Sequence, residues 1–260
     1  MARLYLLVQL AAFWPVWRWY GERVMDASDE PWGVLALATA VFFIALRGKG
    51  GKPGPAGLAG SCAALALYIV LYPNLPPLAR GVLAMVSIAG VVSPAALGRS
   101  MHVGVLGLLL LSLPIIASLQ FYLGYPVRAL TSMIASQIIT AVGYPTEASG
   151  TMLKWAGEYI AVDAPCSGVK MLWTGLYLNF TLACFTGLGQ IRTWLSYVGS
   201  GVAIFTGNML RVTALFFLES GVVRGPTWAH EALGLLFFTI VALFIIALNR
   251  TLVRSGHEIA

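Results

Sequence analysis

The sequence predicts an all-α polytopic membrane protein, folded as a single integral-membrane domain over residues 1–260. The chain is 59% hydrophobic and only 10% charged, whereas soluble domains carry about 25% charged residues. Apolar runs long enough to cross most of a bilayer recur about eight times. The formal net charge of +6 is typical of positively charged cytoplasmic loops. Because no basic cluster carries interleaved aromatic residues, we expect no nucleic-acid partner.

The apolar runs give the predicted transmembrane helices in chain order. We place them near residues 3–19, 32–47, 56–72, 78–97, 101–123, 167–187, 192–219 and 229–249. The first run, within "MARLYLLVQLAAFWPVW", resembles a signal peptide, but no small-residue cleavage site follows it. We therefore expect a short first membrane helix at the N-terminus.

Loop charges predict how these helices are oriented. With eight spans, most of the basic loop residues fall on one side of the bilayer, namely Arg47, Lys49, Lys52, Arg99, Arg192, Arg250 and Arg254. That side is expected to be cytoplasmic, because cytoplasmic loops carry an excess of Lys and Arg. The loop at residues 21–32 is net acidic and falls on the opposite side. We expect a multi-pass protein of the cell inner (cytoplasmic) membrane, with both termini in the cytoplasm.

The extracytoplasmic segment 124–165 is the longest interruption between apolar runs. It separates the N-terminal transmembrane helices (1–123) from the C-terminal ones that carry the candidate site (166–250). Apolar residues at helical spacing predict a short amphipathic helix at the outer interface, namely Val127, Leu130, Ile134, Ile138 and Ala141. Two β-like stretches around Ala156-Gly157 then predict a small β-hairpin. The alternative is an ordinary connecting loop, although this segment leads directly to Cys166 and long ordered loops often build sites.

Three polar residues on different predicted spans fall at one membrane level. Cys166, Arg211 and His230 each lie roughly 20 residues, or about 30 Å along a helix, from the cytoplasmic end of their own span. That distance is about one hydrocarbon thickness. The count therefore predicts that all three side chains lie at the outer boundary of the membrane.

The residues around Cys166 suit a reactive thiol. Pro165 is typical of the beginning of a helix, which predicts that Cys166 lies at or near the first turn. The helix dipole and the unpaired amides there favour a thiolate. Ser167 and Gly168 leave backbone N–H groups open to a reacting carbonyl. Lys170, one turn further on, can add positive charge on the same face.

The other two residues have chemistry that complements a thiol. His230 can take up and return a proton near neutral pH, and Arg211, inside an apolar run, can stabilise a thiolate or an oxyanion. Each also has an ordinary explanation: Cys166 as a small buried residue, His230 as a polar residue at a helix start, and Arg211 as a side chain that snorkels to the head groups. Glu219 and Glu231 are both candidates to orient His230, and the sequence does not choose between them.

The remaining cysteines and histidines indicate no metal or cofactor. The odd number of cysteines has no framework spacing, so we expect no organising disulfide. Cys62 and Cys184 fall near the inner ends of their spans and are interpreted as packing residues. "HEALG" lacks the second His of a zinc motif. We therefore expect neither a metal nor another cofactor.

Three short motifs together resemble the exosortase/archaeosortase family of membrane cysteine transpeptidases. "PCSG" opens a predicted membrane helix, "NMLRV" lies within an apolar run and "WAHEALG" opens the last span. They occur in family order, and the resemblance covers roughly residues 100–250. It implies that Cys166 is the nucleophile, Arg211 the conserved arginine and His230 the third catalytic residue. Asn208 of the second motif joins the supporting residues, and His230 indicates the bacterial branch of the family.

The resemblance also implies a reaction and its partners. Family members cleave C-terminal sorting signals of exported proteins, which consist of a short motif, a membrane helix and a basic tail. Cleavage would take place at the outer membrane–water boundary and form a thioester. The thioester would then pass the protein to an acceptor nucleophile of unknown identity, which anchors the protein at the cell surface or releases it. Two alternatives remain open. One is a membrane-boundary protease that uses water as the acceptor, and the other is a non-catalytic transporter or scaffold in which Arg211 binds an anion or a partner helix.

Overall fold

Helices make up most of the regular structure in the computed structural model, which describes residues 2–25, 31–48, 54–98, 101–162, 167–188 and 190–257. In these residues the α-helices are α1 (Ala2–Ala12), α2 (Trp14–Met25), α3 (Trp32–Arg47), α4 (Pro55–Leu71), α5 (Pro77–Leu97), α6 (Val103–Leu111), α7 (Ile116–Ala141), α8 (Val169–Thr186), α9 (Gln190–Glu219) and α10 (Ala229–His257). The predominance of apolar helices agrees with the predicted all-α membrane class.

Fewer long membrane helices are present than the sequence predicted. Within the described residues, four helical stretches are long and apolar enough to cross a bilayer, namely Pro55–Asn74, Pro77–Ala95, Ile191–Glu219 and Ala229–Ser255. A fifth is added if α6 and α7 form one bent span. The first predicted span is divided into the two short helices α1 and α2, and α3 has only 16 residues. The protein is therefore multi-pass, but the structure does not confirm eight spans.

The predicted span 101–123 is not one continuous helix, because the chain bends sharply inside it. α6 and α7 meet at 92°. Pro114 lies in the break between them, where its ring and missing N–H prevent a continuous helix. α7 then runs without interruption across the predicted boundary at residue 124 and includes the stretch predicted as a separate amphipathic helix.

A three-stranded antiparallel sheet follows α7, where the sequence predicted two strands. Its strands are β1 (Glu147–Ser149), β2 (Met152–Trp155) and β3 (Glu158–Ala161), in the order β1-β2-β3. Ala156 and Gly157 form the tight turn between β2 and β3, and both have positive φ (51° and 85°), as tight two-residue hairpin turns require.

The chain divides into two compact units. The first consists of Met1–Ala117 and Phe180–Gly187, and the second of Ser118–Asn179 and Leu188–Ala260. Every candidate site residue predicted from the sequence falls within the ranges of the second unit.

The sheet of the second unit is fixed against α7 and α9. A buried apolar cluster joins these elements: Ala135, Ile139, Leu153, Val162, Val212, Leu215 and Phe216. Ser132 on α7 also donates a hydrogen bond to the Gly150 carbonyl at 2.6 Å. Val162, at the end of the sheet, is only 4% exposed. The chain that leads towards Cys166 is therefore anchored as far as Val162.

A buried polar network and several glycines hold α8, α9 and α10 together within the second unit. Ser196 and Asn249 both donate hydrogen bonds to Oδ1 of Asn179, at 2.8 and 3.0 Å, and all three side chains are at most 1% exposed. Glycine allows close helix approach elsewhere, because a Cβ at Gly207 of α9 would clash with the Val241 side chain of α10. The three helices are thus held together in the second unit by buried polar contacts and by close approach at glycine.

Candidate active site

The start of α8 differs from the sequence prediction. The regular helix begins at Val169, not at Pro165. Gly168 has φ +77°, a left-handed conformation that interrupts helical geometry and that glycine adopts readily. Cys166 and Pro165 themselves lie outside the described residues, so the placement of the thiol remains a prediction.

Ser167 lies just before α8 and contacts α7. Its hydroxyl oxygen accepts a hydrogen bond from the amide of Val169, the first residue of α8 (N···O 3.4 Å). The same hydroxyl donates to Oε1 of Gln120 on α7 at 2.9 Å. Because Ser167 is only 1% exposed, these bonds fix the backbone immediately after Cys166.

Gln120 is a candidate site residue that the sequence analysis missed. It lies in the apolar stretch "ASLQFYL". A polar residue within such a run often has a functional role, so its presence there could have indicated it. The predicted span 101–123 assigned it to an ordinary membrane helix. In the structure its side chain is instead bonded to the residue that follows Cys166.

Gly168 brings the start of α8 against Asn208 of α9. A Cβ at Gly168 would lie 2.8 Å from both Cγ and Nδ2 of Asn208, a separation that real Cβ atoms essentially never show. Asn208 is only 2% exposed, which limits its freedom to move aside. Arg211 lies three residues further along α9, on the same side of that helix.

Arg211 packs against α10 at Gly234. A Cβ at Gly234 would lie 3.4 Å from both Nε and Nη2 of Arg211, so a larger residue would press on the guanidinium. The Nε atom is buried and has no hydrogen-bond partner among the described residues. A buried donor without an acceptor is costly, and this N–H is therefore well suited to bind an oxygen that a substrate brings.

His230 lies one helical turn before Gly234 and pairs with Glu219. Its Nδ1 is 3.3 Å from Oε1 of Glu219, at the end of α9, and the two side chains are 43% and 35% exposed. Glu231, the other candidate, is an exposed residue of the first turn of α10. Of the two acids, Glu219 is the one found in contact with His230. With Nδ1 directed at a carboxylate, Nε2 is the ring nitrogen suited to act as a base.

Lys170 lies on the exposed side of the first turn of α8. The spacing predicts Lys170 one helical turn after Cys166, on the same face. That relation assumes a continuous helix from residue 166, whereas Gly168 is left-handed. Because Cys166 lies outside the described residues, the position of Lys170 relative to the thiol stays a prediction.

The other cysteines differ in their environments. Cys184 is buried and packs closely against α6, since a Cβ at Gly104 would lie 2.9 Å from its sulfur. Cys62 is exposed, and its sulfur lies 3.2 Å from the Tyr5 hydroxyl.

The structure brings most of the predicted residues together at one end of the second unit. Gly168 meets Asn208, Arg211 follows Asn208 by one turn and meets α10, and His230 precedes that contact by one turn. The site thus combines a guanidinium, an imidazole and a carboxylate on α9 and α10, and Asn208 of α9 contacts Gly168 just before α8. Such a set can move a proton and stabilise a negatively charged oxygen.

Comparisons with known proteins identify the family. No curated protein and no solved structure matches the chain. The family model described as transmembrane exosortase matches residues 3–247, which is nearly the whole chain and extends well beyond the three motifs. The chain therefore belongs to the transmembrane exosortase family.

Proposed function

We propose that this exosortase is a cysteine transpeptidase that cleaves C-terminal sorting signals of exported proteins. Family membership supports the general activity. The observation that carries the catalytic assignment is the pairing of His230 with Glu219, one helical turn from the contact between the Arg211 guanidinium and Gly234. In the proposed site, His230 is the base and Arg211 the anion-binding group that act together with Cys166.

In the proposed reaction, Cys166 attacks a peptide carbonyl of the sorting signal. His230 takes the thiol proton through Nε2, and the thiolate sulfur forms a bond to the carbonyl carbon. Arg211 donates hydrogen bonds to the oxyanion that develops. As the intermediate collapses, the C–N bond breaks, His230 returns the proton to the leaving amine, and a thioester remains on Cys166.

The second half of the reaction transfers the protein to an acceptor. A nucleophile attacks the thioester carbonyl, His230 takes its proton, and the released Cys166 thiolate is protonated again. Glu219 holds the imidazole in one orientation through both halves, as a carboxylate does in other acid–base triads. Ser167, Gly168 and Asn208 fix the backbone next to the nucleophile, and their role is positioning.

The position of the site suits a substrate that is itself anchored in the membrane. Glu219 ends one candidate span and Ala229 begins the next, so the His230–Glu219 pair lies at a membrane boundary. A sorting signal places its cleavage motif next to its own membrane helix. By the loop charges this boundary is the extracytoplasmic one, and the basic tail of the signal would remain on the cytoplasmic side.

Hydrolysis is the second candidate outcome, because solvent reaches the base. The His230 and Glu219 side chains are 43% and 35% exposed, so water can compete with another acceptor for the thioester. The same residues would carry out both reactions, and only the second nucleophile would differ.

The test is a processing assay in membranes, with a co-expressed substrate from the same genome that ends in a motif, a membrane helix and a basic tail. We expect Cys166→Ala to abolish cleavage, while Cys62→Ala retains it as the matched cysteine control. The mass of the product's new C-terminus distinguishes an acceptor adduct from a free carboxylate. Normal cleavage by Cys166→Ala would leave only the transporter or scaffold hypothesis.

A further inference from the structure

A polar cavity in the first compact unit is separate from the cysteine chemistry. It has a volume of about 340 Å³, and its walls include Trp14, Arg18, Trp19, Glu22, Tyr72 and Arg80. Tyr72 lies near the end of the candidate span Pro55–Asn74, and Arg80 near the start of the next, Pro77–Ala95. The cavity is therefore at a membrane boundary, at the depth of phospholipid head groups.

Arg80 is held in this cavity with an unsatisfied donor. Its Cζ lies 4.1 Å from the centroid of the Tyr72 ring, a cation–π contact that fixes the guanidinium plane. Its Nε is buried and has no hydrogen-bond partner among the described residues. Leaving a charged, buried N–H without an acceptor costs free energy. A ligand oxygen at this position would remove that cost.

The charge of the cavity walls indicates an anion of one negative charge. Arg18 and Arg80 contribute two positive charges and Glu22 one negative charge, a net of +1. Arg18 and Glu22 pair with each other (Nε–Oε1 3.1 Å), so among the described residues of the cavity wall the charge without a carboxylate partner is that of Arg80. A phosphodiester carries one negative charge and several acceptor oxygens, and guanidinium groups bind it through paired hydrogen bonds.

The aromatic walls fit the rest of a lipid head-group region. Trp14 and Trp19 present large amphipathic rings at the membrane boundary, where such residues contact both head groups and the upper acyl chains. Trp14 is 66% exposed, which leaves its ring available to a ligand that enters from the bilayer. A free anion would use the arginines but would gain little from these rings.

We propose that this cavity binds the phosphodiester group of a membrane phospholipid, with Arg80 as the principal ligand and Arg18 as the second. The bound lipid would neutralise the cavity and hold α2 against the α4–α5 connection. The proposal does not depend on the transpeptidase reaction, because none of its residues belongs to the cysteine site.

The experiment measures lipid binding to the purified full-length chain in detergent by native mass spectrometry. Phosphatidylglycerol is titrated against diacylglycerol with the same acyl chains, and inorganic phosphate is titrated separately. The variant is Arg80→Gln, which removes the charge and keeps similar bulk. The matched control is Arg23→Gln, which removes an exposed arginine from the same helix, α2, without altering the cavity walls.

We expect wild type to prefer phosphatidylglycerol over diacylglycerol, and Arg80→Gln to lose about tenfold or more in phosphatidylglycerol affinity. Arg23→Gln should bind like wild type. Equal binding of the two lipids to wild type overturns the proposal, and this comparison holds even if Arg80→Gln fails to fold. Equal losses of phosphatidylglycerol affinity in Arg80→Gln and Arg23→Gln also overturn it. So does binding of inorganic phosphate by wild type without any preference for phosphatidylglycerol.

Discussion

Arg211 has a buried donor that is costly in the fold, and we propose that this donor serves the reaction. It lies on an apolar helix, contacts Gly234 through its guanidinium, and buries Nε without a partner among the described residues. If the side chain only balanced charge or snorkelled, a lysine would replace it. If it binds an oxyanion, the planar arrangement of its donors matters.

We therefore expect Arg211→Lys to insert and fold normally but to process substrate at least about 100-fold more slowly, the usual loss when one preorganised donor is removed. The measurement is the processing rate per amount of protein in membranes, with thermal stability as the control. A stable Arg211→Lys protein with near-normal rates would remove Arg211 from the catalytic group.

Glu219 can be separated from Glu231 by paired substitutions. Glu219→Gln removes the carboxylate that faces Nδ1 of His230. Glu231→Gln removes a carboxylate of the same charge from the exposed residue that directly follows His230 in the chain. We expect kcat to fall about 10- to 100-fold in Glu219→Gln with little change in KM, a smaller loss than in buried triads because this pair is partly exposed.

Glu231→Gln should keep near-normal kinetics. Equal losses in the two variants would mean that the general negative charge matters and not the orientation of His230. A rise in KM alone would assign Glu219 to substrate binding.

At the level of elements, the start of α8 fixes the backbone that follows Cys166, the proposed nucleophile. The sequence indicated a helix beginning at Pro165, but Gly168 is left-handed and in close contact with Asn208. Sequence periodicity could not reveal this, because the close approach depends on a side chain of another helix. The same holds for Gln120, because its bond to Ser167 joins two segments that are distant in the sequence.

Gly168→Ala tests this element directly. An added methyl group would lie 2.8 Å from Asn208, and the alanine would have to adopt the left-handed φ of +77° that Gly168 has. The control is Gly221→Ala in the same unit, which has a similar φ (+72°) and open space around its Cβ.

We expect Gly221→Ala to cost about 1 kcal/mol of stability from backbone strain alone. Gly168→Ala should cost about 1–3 kcal/mol more from overpacking and should lose most processing activity. Thermal unfolding and the processing assay measure the two effects. Equal destabilisation and equal activity in the two variants would show that the contact with Asn208 is unimportant.

For the whole molecule, the sequence was most informative about features that depend only on composition and residue spacing. The share of apolar residues predicted a membrane protein, and residue counts along the spans suggested that Arg211 and His230 lie near each other. The number of spans was less predictable, because short apolar runs such as residues 3–19 divide into separate helices and Pro114 breaks another. The third strand of the sheet was missed because β1 has only three residues.

The predicted orientation of the whole molecule can be tested by cysteine labelling in intact cells. Lys154 is an exposed residue of the sheet, and Arg254 is exposed near the end of α10. In a variant without native cysteines, we expect Lys154→Cys to react with a membrane-impermeant maleimide, whereas Arg254→Cys reacts only after permeabilisation. The reverse pattern would place the candidate site on the cytoplasmic side.

If Cys166 forms a thioester with the sorting signal, that intermediate can be trapped and detected. Purified enzyme is mixed with substrate, quenched in acid, digested and analysed by mass spectrometry. We expect an acyl adduct on the peptide that contains Cys166, its release by hydroxylamine, and longer-lived accumulation when the acceptor is withheld. Substrate cleavage with no adduct at Cys166, or with an adduct on another residue, would show that Cys166 is not the nucleophile.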